Sequence, residues 1–151
     1  MKLEQGMKPF PWRCPECSAR EVRPVAVHYT AQVKHDGRLH EVEVPELIVP
    51  TCSKCGEQVF CSDTDAQISS ALRGHLGLMQ PEEIRSRRER LDLTQRRLAQ
   101  TLGIAPETIC RWESGLLIQS RAMNTLLQLY FEFPGVPSFL EARTVGGGQR
   151  K

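Results

Sequence analysis

Four of the six cysteines stand in two pairs of equal spacing, Cys14-Pro15-Glu16-Cys17 and Cys52-Ser53-Lys54-Cys55. A Cys-x-x-Cys pair closes a tight knuckle whose two thiolates can point at one ion. Two knuckles supply four sulfurs, the tetrahedral set that a structural zinc takes. With every position filled by protein, the site is expected to be structural rather than catalytic, holding together a segment too small to hold itself. A tetrathiolate iron site is the chemical rival, because thiolates also hold iron. A thioredoxin-type redox pair needs one knuckle beside a βαβ unit, and the sequence has no such unit. Cys61 and Cys110 fall outside the pattern and read as bystanders. His28, His35 and His40 read as exposed or packing residues, since the zinc is already saturated.

The knuckles need a scaffold, and the stretch between them reads as a hairpin. Residues 21–34 are rich in valine, His35-Asp36-Gly37-Arg38 carries an Asp-Gly turn signal, and residues 39–49 alternate over Glu41, Val42, Glu43 and Val44. A free-standing hairpin is marginal in water, so the cysteines at its base are its staple. After Phe60 the composition changes. Thr64-Asp65-Ala66-Gln67 matches a capping box with Thr64 as N-cap, opening a short amphipathic helix limited by Gly74 and Gly77. Residues 63–80 thus read as a connector, part helix and part hinge.

From Pro81 onward the pattern is helical. Pro81 suits the first position of a helix, with Glu82 and Glu83 in the turn where the dipole favours acids. Thr94 caps a helix ended by Gly103, Pro106 opens another that stops before Gly115, and Ser120 caps a further one. Pro134 and Pro137 bound a last short turn carrying Phe139 and Leu140. Residues 143–151, with three successive glycines, are expected to be disordered. The net charge of +2 conceals an asymmetry: nine basic against ten acidic residues up to residue 80, and eleven against eight beyond it.

The run from Leu93 to Gly115 resembles the Cro/phage-repressor (XRE-family) helix-turn-helix. Leu98 and small Ala99 face inward, Gly103 permits the tight turn, Ile104 and Ile109 plug the core, and Trp112 reads as packing. The resemblance implies double-stranded DNA as partner, with the helix opened by Pro106 in the major groove. By position, Gln95 would touch the DNA backbone or a nearby base, and Arg96 and Thr108 would contact phosphates. Glu107 and Arg111, at i and i+4 and so on one face, would read bases. Arg111 suits guanine O6 and N7. Glu107 would either read cytosine N4 or stay clear of the DNA. Arg88 would pair with Glu113 as a structural salt bridge. Arg97 and Ala105 depart from the usual capping residues at their places.

The two halves in this order, a CxxC…CxxC-Gly-Glu ribbon followed by Pro-Glu-Glu-Ile-Arg and the helix-turn-helix, resemble an MqsA-type antitoxin with a YgiT-type zinc-finger domain, over roughly residues 12–141. Ser18 stands where the family usually has glycine. The expected fold is α+β in two small domains: an N-terminal zinc-ribbon β-hairpin domain (1–62), the connector (63–80), and an all-α five-helix domain (81–142). The resemblance implies a transcriptional repressor of its own operon, dimeric on a palindromic operator, whose zinc domain binds a small ribonuclease toxin. A regulator with the same domains and no toxin is the alternative. The apolar segment Tyr130, Phe131, Phe133, Val136, Phe139 and Leu140 reads as the homodimer surface or as closure of the core. An enzyme is not expected, since the sequence offers no nucleophile with a base, no phosphate loop and no open metal position. The N-terminus lacks the apolar stretch of a signal peptide, and no run approaches the roughly 18 apolar residues of a membrane span. A cytoplasmic protein is expected.

Overall fold

The computed structural model describes residues 8–145. Two long antiparallel strands come first, β1 (Val22–His35) and β2 (Arg38–Cys52), followed by helix α1 (Ser62–Leu76). Five further helices follow: α2 (Pro81–Arg90), α3 (Gln95–Leu102), α4 (Pro106–Glu113), α5 (Arg121–Glu132) and α6 (Gly135–Val145). The chain forms two compact units. One comprises residues up to Val33 together with Leu39–Ala71, the other Lys34–Arg38 together with Leu72 onward.

Asp36 and Gly37 make the hairpin turn, both at positive φ (48° and 74°). That is the backbone a two-residue hairpin loop requires and the reason Asp-Gly occupies it. The resulting register sets Gln32 opposite Glu41, and their side chains meet at 2.7 Å. On β2 the buried positions are Val42, Leu47, Val49, Pro50 and Cys52. From Leu47 onward residues of both parities are buried, so this end of the strand is covered on both faces.

Helix α1 begins before its expected cap. Thr64 lies inside it, fully buried, and its hydroxyl faces the backbone N–H of Cys61 at 3.4 Å. Gln67 is likewise no partner of a Thr64 cap. Its carbonyl accepts from Ile48 N at 2.9 Å and its amide donates to Ile48 O at 3.0 Å. The side chain mimics a neighbouring strand and satisfies both backbone groups of one residue on the edge of β2. Gly74 remains helical, and Gly77, at φ 66°, ends the helix while Leu78 N donates back to Arg73 O at 2.8 Å.

The helical unit closes around Met79, Ile84, Leu98, Ala99, Ile109, Trp112, Leu127 and Tyr130, all buried. Its caps follow from local chemistry: Thr94 Oγ1 accepts from Arg97 N, Ser120 Oγ accepts from Met123 N, and Gly103 is left-handed at φ 72°. The expected last short turn is instead the 11-residue α6. Pro137 lies in its first turn, where N–H groups have no helical partner to lose. Residues 143–145, assigned to a disordered tail from sequence, are therefore helical, and residues 146–151 lie outside the described residues. No helix among the described residues is long and apolar enough to cross a membrane.

Candidate metal centre and nucleic-acid interface

The two knuckles are built alike. In the first, Cys14 N donates to Ala19 O (2.8 Å) and Ser18 N to Cys14 O (3.0 Å); in the second, Cys52 N donates to Glu57 O (2.8 Å) and Gly56 N to Cys52 O (2.9 Å). The fifth residue of each turn is left-handed, Ser18 at φ 61° and Gly56 at 80°. Bridges Trp12–Val22 and Thr51–Gln58 extend the hairpin around them. Cys14, Val22 and Cys52 are buried together, flanked by Trp12, Cys17 and Val59. Cysteines thus make up much of this apolar cluster.

All four sulfurs of Cys14, Cys17, Cys52 and Cys55 lie within 4.8 Å of one another. The pairs across the knuckles, Cys14–Cys55 and Cys17–Cys52, stand at 3.5 and 3.7 Å. A zinc–sulfur bond of about 2.3 Å in a tetrahedron sets sulfurs about 3.8 Å apart, whereas a disulfide needs about 2.0 Å. The spacing fits one ion and no disulfide. Two of the thiols are shifted in opposite directions. Cys52 is lowered to about 7, chiefly by the backbone N–H of Cys55, against burial. Cys55 is pushed up to about 12. The backbone of Glu57 lowers it, but hydrogen bonding to Cys14, burial, and the neighbouring Cys17 and Cys52 outweigh that. A divalent cation resolves this competition by replacing the shared protons. These four thiolates would hold one zinc ion, whose chemistry would be to cross-link the two knuckles.

In the helical unit, α3 packs against α4. Ile109, Trp112 and Glu113 are buried on one face of α4, and Glu107, Cys110 and Arg111 are exposed on the other. Thr108 is half-buried and Arg96 exposed. Glu107 and Arg111 share the exposed face, as their spacing requires.

Arg88 and Glu113 meet as a forked pair, Nε to Oε1 at 2.6 Å and the terminal nitrogen to Oε2 at 3.0 Å. Arg88 also donates to Leu93 O at 2.6 Å. Burial pushes the Glu113 carboxyl up, but hydrogen bonds from Arg88 and Gln95, with the charges of Arg88 and Arg85, hold it below its ordinary value. Gln95 is therefore not wholly free: its amide donates to Glu113 Oε2 at 2.8 Å.

Residues 12–140 match the antitoxin component of bacterial toxin-antitoxin system, MqsA. The chain belongs to the MqsA antitoxin family. That family comprises antitoxins rather than enzymes, and its membership accounts for the zinc-binding cluster at one end of the match and the helical pair near the other. No curated protein matches the chain.

Two features of this MqsA-family chain were not apparent in its sequence. Gln119 is 1% exposed; it donates to Met79 O at 2.8 Å and to Asn124 Oδ1 at 3.1 Å, while Asn124 Oδ1 accepts from Met79 N at 2.8 Å. This buried amide pair fixes the segment leading into α2 against the start of α5. The apolar C-terminal residues also divide in two. Tyr130 is in the core, with Phe131, Val136 and Leu140 packed on it, whereas Leu129, Phe133 and Phe139 are 42, 54 and 62% exposed.

Proposed function

We propose that this antitoxin is a sequence-specific transcriptional repressor that binds double-stranded DNA through α4 and regulates its own operon. The observation that carries the reading is the two-faced α4, which buries Ile109 and Trp112 and turns Glu107 and Arg111 to solvent. Arg111 reads guanine through its two donors, and Glu107 either accepts from cytosine N4 or stays clear. Arg96 and Thr108 contact phosphates and fix the register. The chain acts as a homodimer on a palindrome, its half-sites spaced by whole helical turns. Of the expected dimer surface, Phe133 and Phe139 remain exposed to form it.

The functional division follows the sequence: a zinc domain over 1–62, a connector over 63–80 and a DNA-binding domain over 81–142. The zinc domain binds a small ribonuclease toxin, and both partners meet the antitoxin in the cytoplasm. Purification of the chain from its native cells, followed by footprinting on its own upstream region, tests the reading. Co-purification of a toxic ribonuclease and protection of a palindrome are expected. Random protection, with no toxin recovered, would contradict it.

A further inference from the structure

Three nitrogen-bearing side chains approach the carboxylate of Glu113. Arg88 fills Oε1 at 2.6 Å and reaches Oε2 at 3.0 Å, and Gln95 Nε2 donates to Oε2 at 2.8 Å. A carboxylate oxygen offers about two good acceptor directions, so Oε2 is satisfied by these two. Arg85 Nε stands 3.7 Å from the same oxygen, and its side chain is 56% exposed against 0% for Glu113. That distance is beyond hydrogen-bond length. One carboxylate thus faces two guanidinium groups. Arg88, buried and forked, is the closer partner of Glu113 and also stands 3.7 Å from Glu89, whereas Arg85 turns most of its side chain to solvent.

Since both lie at these distances from one oxygen, Arg85 Nε and Gln95 Nε2 are at most about 6.5 Å apart. A phosphate group held by charge-assisted bonds of about 2.8 Å on each side bridges such a gap. Each residue has donors to spare: the second amide hydrogen of Gln95 and the terminal nitrogens of Arg85.

We propose that Arg85 and Gln95 together grip one backbone phosphate of the DNA. Arg85 is then a contact that supplies affinity without reading sequence. The proposal rests on the DNA-binding reading above.

The test uses the full chain, Arg85→Ala, Gln95→Ala and the double variant. Each is titrated across salt concentrations with a duplex of the gene's own upstream region and a scrambled duplex of equal length. Arg85→Ala should weaken binding to both duplexes by a similar factor and lower the slope of log affinity against log salt by about 0.9. The double variant should lose less than the product of the two single losses, because one phosphate is shared. An unchanged slope in Arg85→Ala, with the native chain still preferring its own duplex, would overturn the grip and leave the DNA reading standing. A loss confined to one duplex would also overturn it, making Arg85 a sequence reader. Failure of the native chain to bind either duplex would remove the DNA reading itself, and the grip with it.

Discussion

Arg88 on α2 and Glu113 at the end of α4 are joined by two hydrogen bonds, 2.6 and 3.0 Å long, with the Glu113 side chain wholly shielded from solvent. Neither group is left short of partners, since Leu93 O takes a third nitrogen of Arg88 and Gln95 a further site on Glu113. Removing one member strands the other as a buried charge. Arg88→Ala should therefore cost about 3–5 kcal/mol of stability, read as a lower urea midpoint for the helical unit. A loss near that of an exposed pair, below about 1 kcal/mol, would show that the pair is solvated in solution.

The same pair sets an acid limit. The Glu113 carboxyl is held below its ordinary value in the folded chain, so the unfolded chain takes up its proton first as pH falls. The stability this group contributes is complete above the ordinary carboxylate range and is lost as pH drops through its depressed folded value. Thermal melts of the native chain and Glu113→Gln should differ most near neutrality and converge in acid. Parallel curves across the whole range would assign the acid sensitivity to other carboxylates.

Zinc is the staple of the hairpin unit, because the buried residues around Cys14 and Cys52 are few. A strong chelator, or Cys52→Ser, should collapse the amide dispersion of residues 12–60 while leaving the far-ultraviolet helical signal largely in place. Metal analysis of the native chain should return one ion per chain. Retention of the hairpin's dispersion after complete metal removal would show that Val22, Val49 and Leu47 suffice without it.

Ser18 occupies a left-handed conformation, φ 61°, that its counterpart Gly56 adopts at 80°. A side chain there costs on the order of 1 kcal/mol that glycine does not incur. Ser18→Gly should raise the stability of the hairpin unit by about 0.5–1 kcal/mol with the metal stoichiometry unchanged. A lower melting temperature would mean that the serine hydroxyl holds the turn.

Local chemistry made much of this legible in advance. Asp36-Gly37 can do little but turn a hairpin, Thr94, Gly103 and Ser120 sit where helix ends need them, and the equal spacing of the cysteines announces four sulfurs. Features that depend on a distant partner were not visible. Gln67 matched a local cap in sequence, but its amide serves Ile48 on β2. Nothing local marks Gln119 and Asn124 for burial, because their partner Met79 is distant in the chain. Pro134 and Pro137 suggested a short turn where α6 forms, because proline in a first turn is helix-compatible and sequence alone does not say which turn it occupies. On α4, the shared face of Glu107 and Arg111 was legible, whereas the hold of Glu113 on Gln95 was not.

Base reading by Arg111 on α4 is tested by a base-substitution titration. The native chain and Arg111→Ala are each titrated at one fixed salt concentration against the footprinted operator and its single-base variants. The native chain should discriminate by about 1–3 kcal/mol at one guanine in each half-site. Arg111→Ala should bind the native and substituted operators alike, with its fold intact by circular dichroism. Undiminished discrimination by Arg111→Ala at every guanine would contradict the account.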